Sequence, residues 1–361
     1  MRFSEFVGNR DLVRRLQKRA EEKRPFHAYV FEGADGVGKR RLAFTLAQAL
    51  VCENPKDGEP CGHCPSCRKV ETQNHTDVIY VTSDGNSLKE EVINDLRKRL
   101  YEKPFDGPRT ILIIDRADLM TNVAQNMLLK TLEEPAETLN IILLSENSGD
   151  LLPTIVSRAH LLRLKPVAPA VIQRFLVEDH GAGESEAIAA AAYSGGSPGR
   201  ALRLLKDETF REKRRLASVC ALALRAAASP AEFYPAVEAF TKFSEDADKA
   251  REKADRERLK ADKSGFADSR KEKKPTWTKK EIDTDLLDML LRWYRDVLLI
   301  SEGLESACMN ADSIDRLRET GSGLTKKQIL NILNKIEEAK TEISMNGSRA
   351  YVWKNLFLQT R

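Results

Sequence analysis

Four cysteines, Cys52, Cys61, Cys64 and Cys67, fall within sixteen residues in the stretch "CENPKDGEPCGHCPSC". The x8, x2, x2 spacing, broken by prolines and glycines, lets four thiolates close a tetrahedron around one soft ion, and structural zinc is the expected occupant. A redox centre needs only two thiols, whereas an iron–sulfur cluster also uses four and is the alternative chemistry. With the cysteine set complete, no coordination position stays open, so the metal is a staple and not a catalyst. His63 and His75 lie nearby but are not needed as ligands. Cys220 and Cys308 sit in apolar helical contexts and read as core residues.

A second candidate is "GADGVGKR", residues 33–40. A short apolar run feeds into Gly33, Gly36 and Gly38, and a helical pattern starts near Lys39. Backbone amides at a helix N-terminus, with a lysine reaching forward, cradle phosphate. The consensus G-x-x-x-x-G-K-[ST] ends on a hydroxyl that holds Mg²⁺. Here that place is Arg40, a cation where a metal needs an oxygen. ATP or ADP can bind such a loop, but hydrolysis is not expected. The stretch "ILIIDRAD" places Asp115 at the end of an apolar run, where a metal-facing carboxylate belongs.

Elements that could position these groups alternate along the first half. Strand-like runs at 28–32, 77–81, 110–115 and 140–145 are separated by helical patterns at 40–51, 87–102 and 122–135, which predicts βαβ units and a parallel sheet. From about residue 166 the strand signal ends. Two helical stretches closed by glycines precede "SPGRALRLLKDE", where Ser197 reads as N-cap and Pro198 as the first helical residue. The remainder is helical in pattern, with Trp293, Tyr294 and Trp353 on apolar stripes. A dense mixed-charge stretch at about 244–281 reads as an exposed helix laced with ion pairs, or as partly disordered chain. No fixed-period repeat is visible.

Bulk properties agree with a globular chain of two or three domains. Of 361 residues, 41% are hydrophobic, 32% charged and only 6% aromatic, and the net charge is +4. That balance gives no clustered basic face of the kind nucleic-acid binding requires. No run reaches bilayer-spanning length, so a membrane partner is not expected, and the expected location is the cytoplasm, where thiols stay reduced.

Taken in order, "FVGNRDLVRRL", "GADGVGK", the cysteine module, "ILIIDRADLM", "NMLLKTLEEP", "LLSEN", "PTIVSRAH" and "GSPGRAL" resemble the clamp-loader branch of the AAA+ superfamily over essentially the whole chain. Within that branch they are most similar to the delta-prime subunits of bacterial DNA polymerase III. The resemblance implies a RecA-like P-loop domain (1–165, zinc module at 52–67), a small helical lid (166–207) and an all-α collar (208–361) carrying the charged insertion. It implies a hetero-pentamer with gamma/tau and delta subunits that places a sliding clamp on primed DNA. It implies Ser145 as the sensor-1 residue and Arg200 as the sensor-2 arginine. Arg158 would be an arginine finger acting in trans, although Ala159 stands where the family's Ser-Arg-Cys motif has cysteine. Active relatives follow the Walker B aspartate with a water-polarising glutamate, whereas this chain has Arg116. Delta-prime-like subunits are typically poor or inactive ATPases. Two other functions fit these residues: an active gamma/tau-like motor using Asp118 or water in place of the missing ligands, and a zinc-containing nucleic-acid-binding protein on an inactive P-loop fold.

Overall fold

The computed structural model describes residues 1–82, 88, 93–94, 96, 99–261, 278–345 and 347–360. Half of the helix expected at 87–102 and part of the charged stretch lie outside the described residues.

The chain divides into two compact units. The first is built on five parallel strands in the order β2-β3-β4-β1-β5. These are β1 (Ala28–Glu32), β2 (Val78–Val81), β3 (Thr110–Ile114), β4 (Leu139–Ser145) and β5 (His160–Arg163). The β-branched and leucine-rich runs are buried on both faces, as parallel sheets require. Alternate residues feed two separate cores. Tyr29, Phe31, Ile111, Ile113, Ile142 and Leu144 pack on one side with Leu12 and Leu16 of α1 (Arg10–Glu21) and Leu42 and Leu46 of α2 (Lys39–Val51). Val30, Leu112, Ile114, Ile141 and Leu143 pack on the other with Leu128 and Leu132 of α4 (Asn122–Glu133) and Ile155 of α5 (Pro153–Val156). The short α3 (Pro65–Glu71) leaves the cysteine module.

The parallel sheet expected from the alternation is present, and β5 is an addition to it. "HLLR" pairs in parallel with β1, Tyr29 opposite His160 and Val30 opposite Leu161. It is an edge strand whose outer positions are exposed. An edge strand buries too few side chains to leave a hydrophobic run in the sequence.

Helix α6 (Pro169–His180) completes the first unit together with the segment Ser194–Leu202, which includes the start of α8 (Pro198–Lys206). The second unit is helical. It holds α7 (Glu184–Tyr193), the rest of α8, α9 (Glu208–Ala226), α10 (Pro230–Ala261), α11 (Lys279–Ser301), α12 (Ile314–Gly321), α13 (Lys326–Ser344) and α14 (Arg349–Gln359). The charged stretch is helical in its first part, continuing α10 to Ala261, with Lys249 and Asp246 3.6 Å apart. Trp293, Tyr294 and Trp353 are all buried in the core of this unit, as is Cys220. Cys308 is buried as well.

A buried carboxylate ties three of these helices together. Asp283 of α11 is 2% exposed and accepts from Arg349 Nε at 2.6 Å and from the Trp353 indole at 3.2 Å, while Arg349 also reaches Thr241 Oγ1 of α10. Removing one member of such a network leaves the others unsatisfied in low dielectric. Asp283→Ala is expected to destabilise the helical unit by about 2–4 kcal/mol, seen as a lower urea midpoint. An unchanged midpoint would show that the network is not structural.

Candidate functional site

Parallel strands all end at the same edge of the sheet, where open α/β folds bind ligands. Gly33 follows β1, Asp115 follows β3 and Ser145 ends β4, with Glu32 opposite Ser145 in the register. The sheet therefore gathers the phosphate loop, the carboxylate and the serine that the sequence singled out.

The loop has the backbone its glycines allow. Gly36 (φ 72°) and Gly38 (φ 109°) lie in the left-handed region, and a Cβ on Gly38 would meet Phe6 Cζ at 2.7 Å. Phe6 from the N-terminal segment thus lies against the loop, and Glu5 pairs with Arg41 at 3.2 Å. Lys39 begins α2 and turns its ammonium back to the carbonyls of Gly33 and, at 3.2 Å, Ala34. Burial lowers the Lys39 pKa, and nearby Glu146, Asp35, Asp115 and Asp118 oppose that shift. A lysine so placed is a cation available to an anionic ligand.

The metal corner is different. Arg40 does not point at Asp115 as a free cation. Its guanidinium lies 4.5 Å from the ring centre of Tyr80 and 5.8 Å from that of Phe44, a cation–π arrangement. The Tyr80 hydroxyl in turn donates to Asp115 Oδ2 at 2.6 Å. Asp115 Oδ1 accepts from the Arg116 amide at 3.0 Å. Burial, then the adjoining carboxylate, raises the Tyr80 pKa, so the phenol stays protonated and can only donate to Asp115. Both oxygens of Asp115 are thereby engaged by protein donors. Arg116 is exposed at φ 52°, and Asp118 lies on the following turn (Ala117–Leu119) with its buried Oδ1 lacking a partner among the described residues. Sequence reasoning missed Tyr80. Only the register of β2 against β3, which no local signal encodes, brings it to Asp115.

Ser145 is fully buried, and its hydroxyl donates to the Asn147 carbonyl at 2.7 Å, inside its own turn. Its backbone carbonyl instead serves the loop, accepting from the Gly33 amide at 3.2 Å. Arg200 is exposed, and it lies in the first turn of a helix docked on the loop. Ser197 Oγ donates to the Asp35 carbonyl at 2.9 Å and also accepts from the Arg200 amide at 3.2 Å, so it is the N-cap the sequence suggested. The Gly199 amide donates to the Gly36 carbonyl at 2.9 Å, and a Cβ on Gly199 would lie 2.9 Å from that same oxygen. Only glycine permits this approach.

Arg158 stands apart from the loop. It follows α5 and pairs through Nη2 with Glu133 Oε1 of α4 at 2.8 Å, while Nη1 donates to the Thr154 carbonyl at 3.1 Å. Its side chain is 37% exposed.

The four cysteines converge as their spacing required. Their sulfurs lie within 4.8 Å of one another, and Cys61 and Cys67 Sγ are 3.9 Å apart. A tetrahedral ion with bonds of about 2.3 Å would hold its sulfurs about 3.8 Å apart, so this set can hold one metal ion. All four thiols are free of disulfides. Amides of Cys61, Cys64 and Cys67 donate to the sulfurs of Cys52, Cys61 and Cys64 at 3.3–3.4 Å, contacts that favour thiolates. Neighbouring groups hold the module in place: Gln48 donates to the Cys67 carbonyl at 2.9 Å, and Glu59 accepts from the Phe3 and Ser4 amides, each at 2.8 Å. His63 bonds the Cys61 carbonyl and His75 the Asp77 amide, and neither joins the sulfur cluster.

A five-stranded parallel sheet with a glycine loop and lysine after β1, and an aspartate just after β3, defines a P-loop fold. A family profile described as "DNA polymerase III, delta subunit" matches residues 8–168. The chain is 29% identical over 347 residues to the DNA polymerase III subunit delta' of Bacillus subtilis (strain 168), covering 96% of this chain and 94% of that protein. It is 28% identical over 200 residues to subunit delta' of Escherichia coli (strain K12), covering 55% of this chain and 60% of that one. Subunit tau of B. subtilis matches at 33% over 171 residues, only 30% of that relative's length. Along nearly its whole length, then, this chain is similar to a DNA polymerase III delta' subunit.

If Tyr80 and Arg40 close the metal corner, opening it should restore metal dependence. The double variant Arg40→Thr/Tyr80→Phe is expected to bind ADP at least about tenfold more tightly with Mg²⁺ than with EDTA, whereas the parent chain shows no such difference. Calorimetry in both buffers checks this. A double variant indifferent to Mg²⁺ would place the block elsewhere.

Proposed function

We propose that this chain is a delta'-type clamp-loader subunit that does not turn over ATP and lends Arg158 to the ATP site of a neighbouring subunit. The observation that carries this proposal is the engagement of Asp115 by Tyr80 beneath the Arg40 guanidinium. The carboxylate that would hold Mg²⁺ already has donors on both oxygens, and a cation stands where the metal's hydroxyl ligand belongs. Near full-length similarity to a delta' subunit supports the same assignment. In this role residues 1–165 form the P-loop domain, 166–207 a lid and 208–361 a collar. The partners are gamma/tau and delta subunits in a hetero-pentamer that loads a sliding clamp onto primed DNA in the cytoplasm.

Arg158 suits action in trans. It is partly exposed at the corner between α5 and β5 and, among the described residues, is held by an ion pair with a half-exposed glutamate and a bond to a carbonyl. Ser145 and Arg200 hold the sensor positions, with the Ser145 hydroxyl turned into its own loop. Zinc at Cys52, Cys61, Cys64 and Cys67 is structural, since four thiolates fill its coordination.

Two measurements test these roles. The purified chain should hydrolyse no ATP, and Arg158→Ala in the reconstituted complex should slow hydrolysis at the site it faces by roughly 10³-fold or more. Normal DNA-dependent turnover by that complex would remove the finger. Mg²⁺-dependent turnover by the isolated chain, abolished by Lys39→Ala, would establish a motor subunit instead. For the metal, one zinc per chain is expected by elemental analysis. Structural zinc contributes on the order of 10 kcal/mol, so chelation or Cys64→Ser should unfold residues 52–71, read as loss of amide-exchange protection confined to that module. Full protection without metal would overturn the zinc assignment.

A further inference from the structure

The helical unit contains a cleft of about 240 Å³ lined by none of the residues placed in the proposed role. Four guanidiniums line it, Arg211, Arg214 and Arg215 from α9 and Arg316 from α12, against two lining carboxylates, Glu186 and Asp312. Arg211, Arg214, Arg215 and Ser218 follow i, i+3, i+4, i+7 spacing and so share one face of α9. Like charges three and four residues apart oppose one another on a helix. Their convergence on one concavity is not what stability alone selects.

The four arginines are not equally committed. Arg214 is fixed, bonded to both oxygens of Asp312 at 3.1 and 2.6 Å and to Asn310 Oδ1 at 3.0 Å, beside the Tyr193 and Phe210 rings. Arg211 and Arg215 pair with Glu186 and Glu212, but these pairs are roughly half exposed, and such pairs contribute little and exchange readily. Arg316 has no carboxylate partner among the described residues and donates to the Ser218 hydroxyl at 3.1 Å. Leu204, Leu205, Phe210 and the buried Trp293 add an apolar wall to the same lining.

We propose that this cleft binds a small phosphate-bearing ligand, its anionic group held by Arg316, Arg215 and Arg211 and its body lying against the apolar wall. Guanidinium forks match phosphate oxygens pairwise, which lysine cannot do. The concavity has room for such a group but not for a folded segment of another chain.

Calorimetric titration of the full chain with pyrophosphate tests this. Saturable binding is expected in the parent and in Lys39→Ala, which disables the phosphate loop. Arg316→Gln should weaken it at least about tenfold, with unchanged circular dichroism. Should that variant misfold, Arg316→Lys keeps the charge without the fork and should still bind measurably more weakly than the parent. Inorganic phosphate and adenosine monophosphate identify the source: equal affinity points to the free anion, tighter monophosphate binding to a nucleotide, and either supports the site. Binding that disappears with Lys39→Ala and survives Arg316→Gln belongs to the loop and overturns the proposal. So does a parent chain that ignores pyrophosphate, whether or not it takes an oligoglutamate peptide instead.

Discussion

A carboxylate at the end of a parallel strand coordinates a metal less favourably when both its oxygens already accept from internal donors and a fixed cation lies nearby. In this protein Asp115 accepts 2.6 Å from the Tyr80 hydroxyl and 3.0 Å from the Arg116 amide. Above it, Arg40 stacks on the same tyrosine. Mg²⁺ at this corner would have to share Asp115 with the tyrosine and amide donors and sit near a guanidinium, two costs of the same sign. The rest of the loop is unaltered: left-handed glycines, a lysine folded back on carbonyls, a free helix start. In the proposed role, phosphate recognition and metal recognition are thus separable, because the first would use amides and Lys39 whereas the second would use Asp115 and residue 40.

What the loop retains is mechanical. Its first glycine donates to β4 through the Ser145 carbonyl, and its outer carbonyls, those of Asp35 and Gly36, accept from Ser197 and Gly199 at the start of α8. The helix carrying Arg200 is therefore fastened to the loop by its cap hydroxyl and a backbone amide, contacts that need no nucleotide. In an active motor a lid moves with the state of the phosphates. In the proposed role these bonds favour one fixed arrangement, which suits a subunit that supports its neighbours and does not cycle.

Legibility from sequence followed distance along the chain. The cysteine module was readable because its ligands are local: sixteen residues with turn-forming prolines and glycines between them close on themselves. The loop, the Asp115 strand and the parallel sheet were readable for a similar reason, each being a run with its own periodicity. Tyr80 was not, since it meets Arg40 across forty residues and Asp115 across thirty-five, through a strand register that neither segment encodes alone. β5 left no trace because an edge strand with exposed positions lacks the apolar alternation that marks an inner one. Ser145 ends the strand that the run at 140–145 predicted, yet its hydroxyl direction depends on the Asn147 turn and could not be read from its position.

Arg158 shows why a weak contact can matter more than a strong one. Its ion pair with Glu133 joins side chains 37% and 49% exposed, a pairing worth on the order of 0–1 kcal/mol. A guanidinium buried in a strong network such as that of Arg349 and Asp283 could not leave it without stranding a carboxylate in the core. One held only by a solvated glutamate and a carbonyl can exchange both for the oxygens of a phosphoryl group, where the charge is higher and water is excluded. Before that exchange, Glu133 and Thr154 restrict the rotamers of a long side chain, so less of its freedom remains to be lost on docking. In the proposed role the contact thus holds the arginine in one orientation while leaving it free to move to a better anion, which is the physical requirement of a finger that works on another subunit.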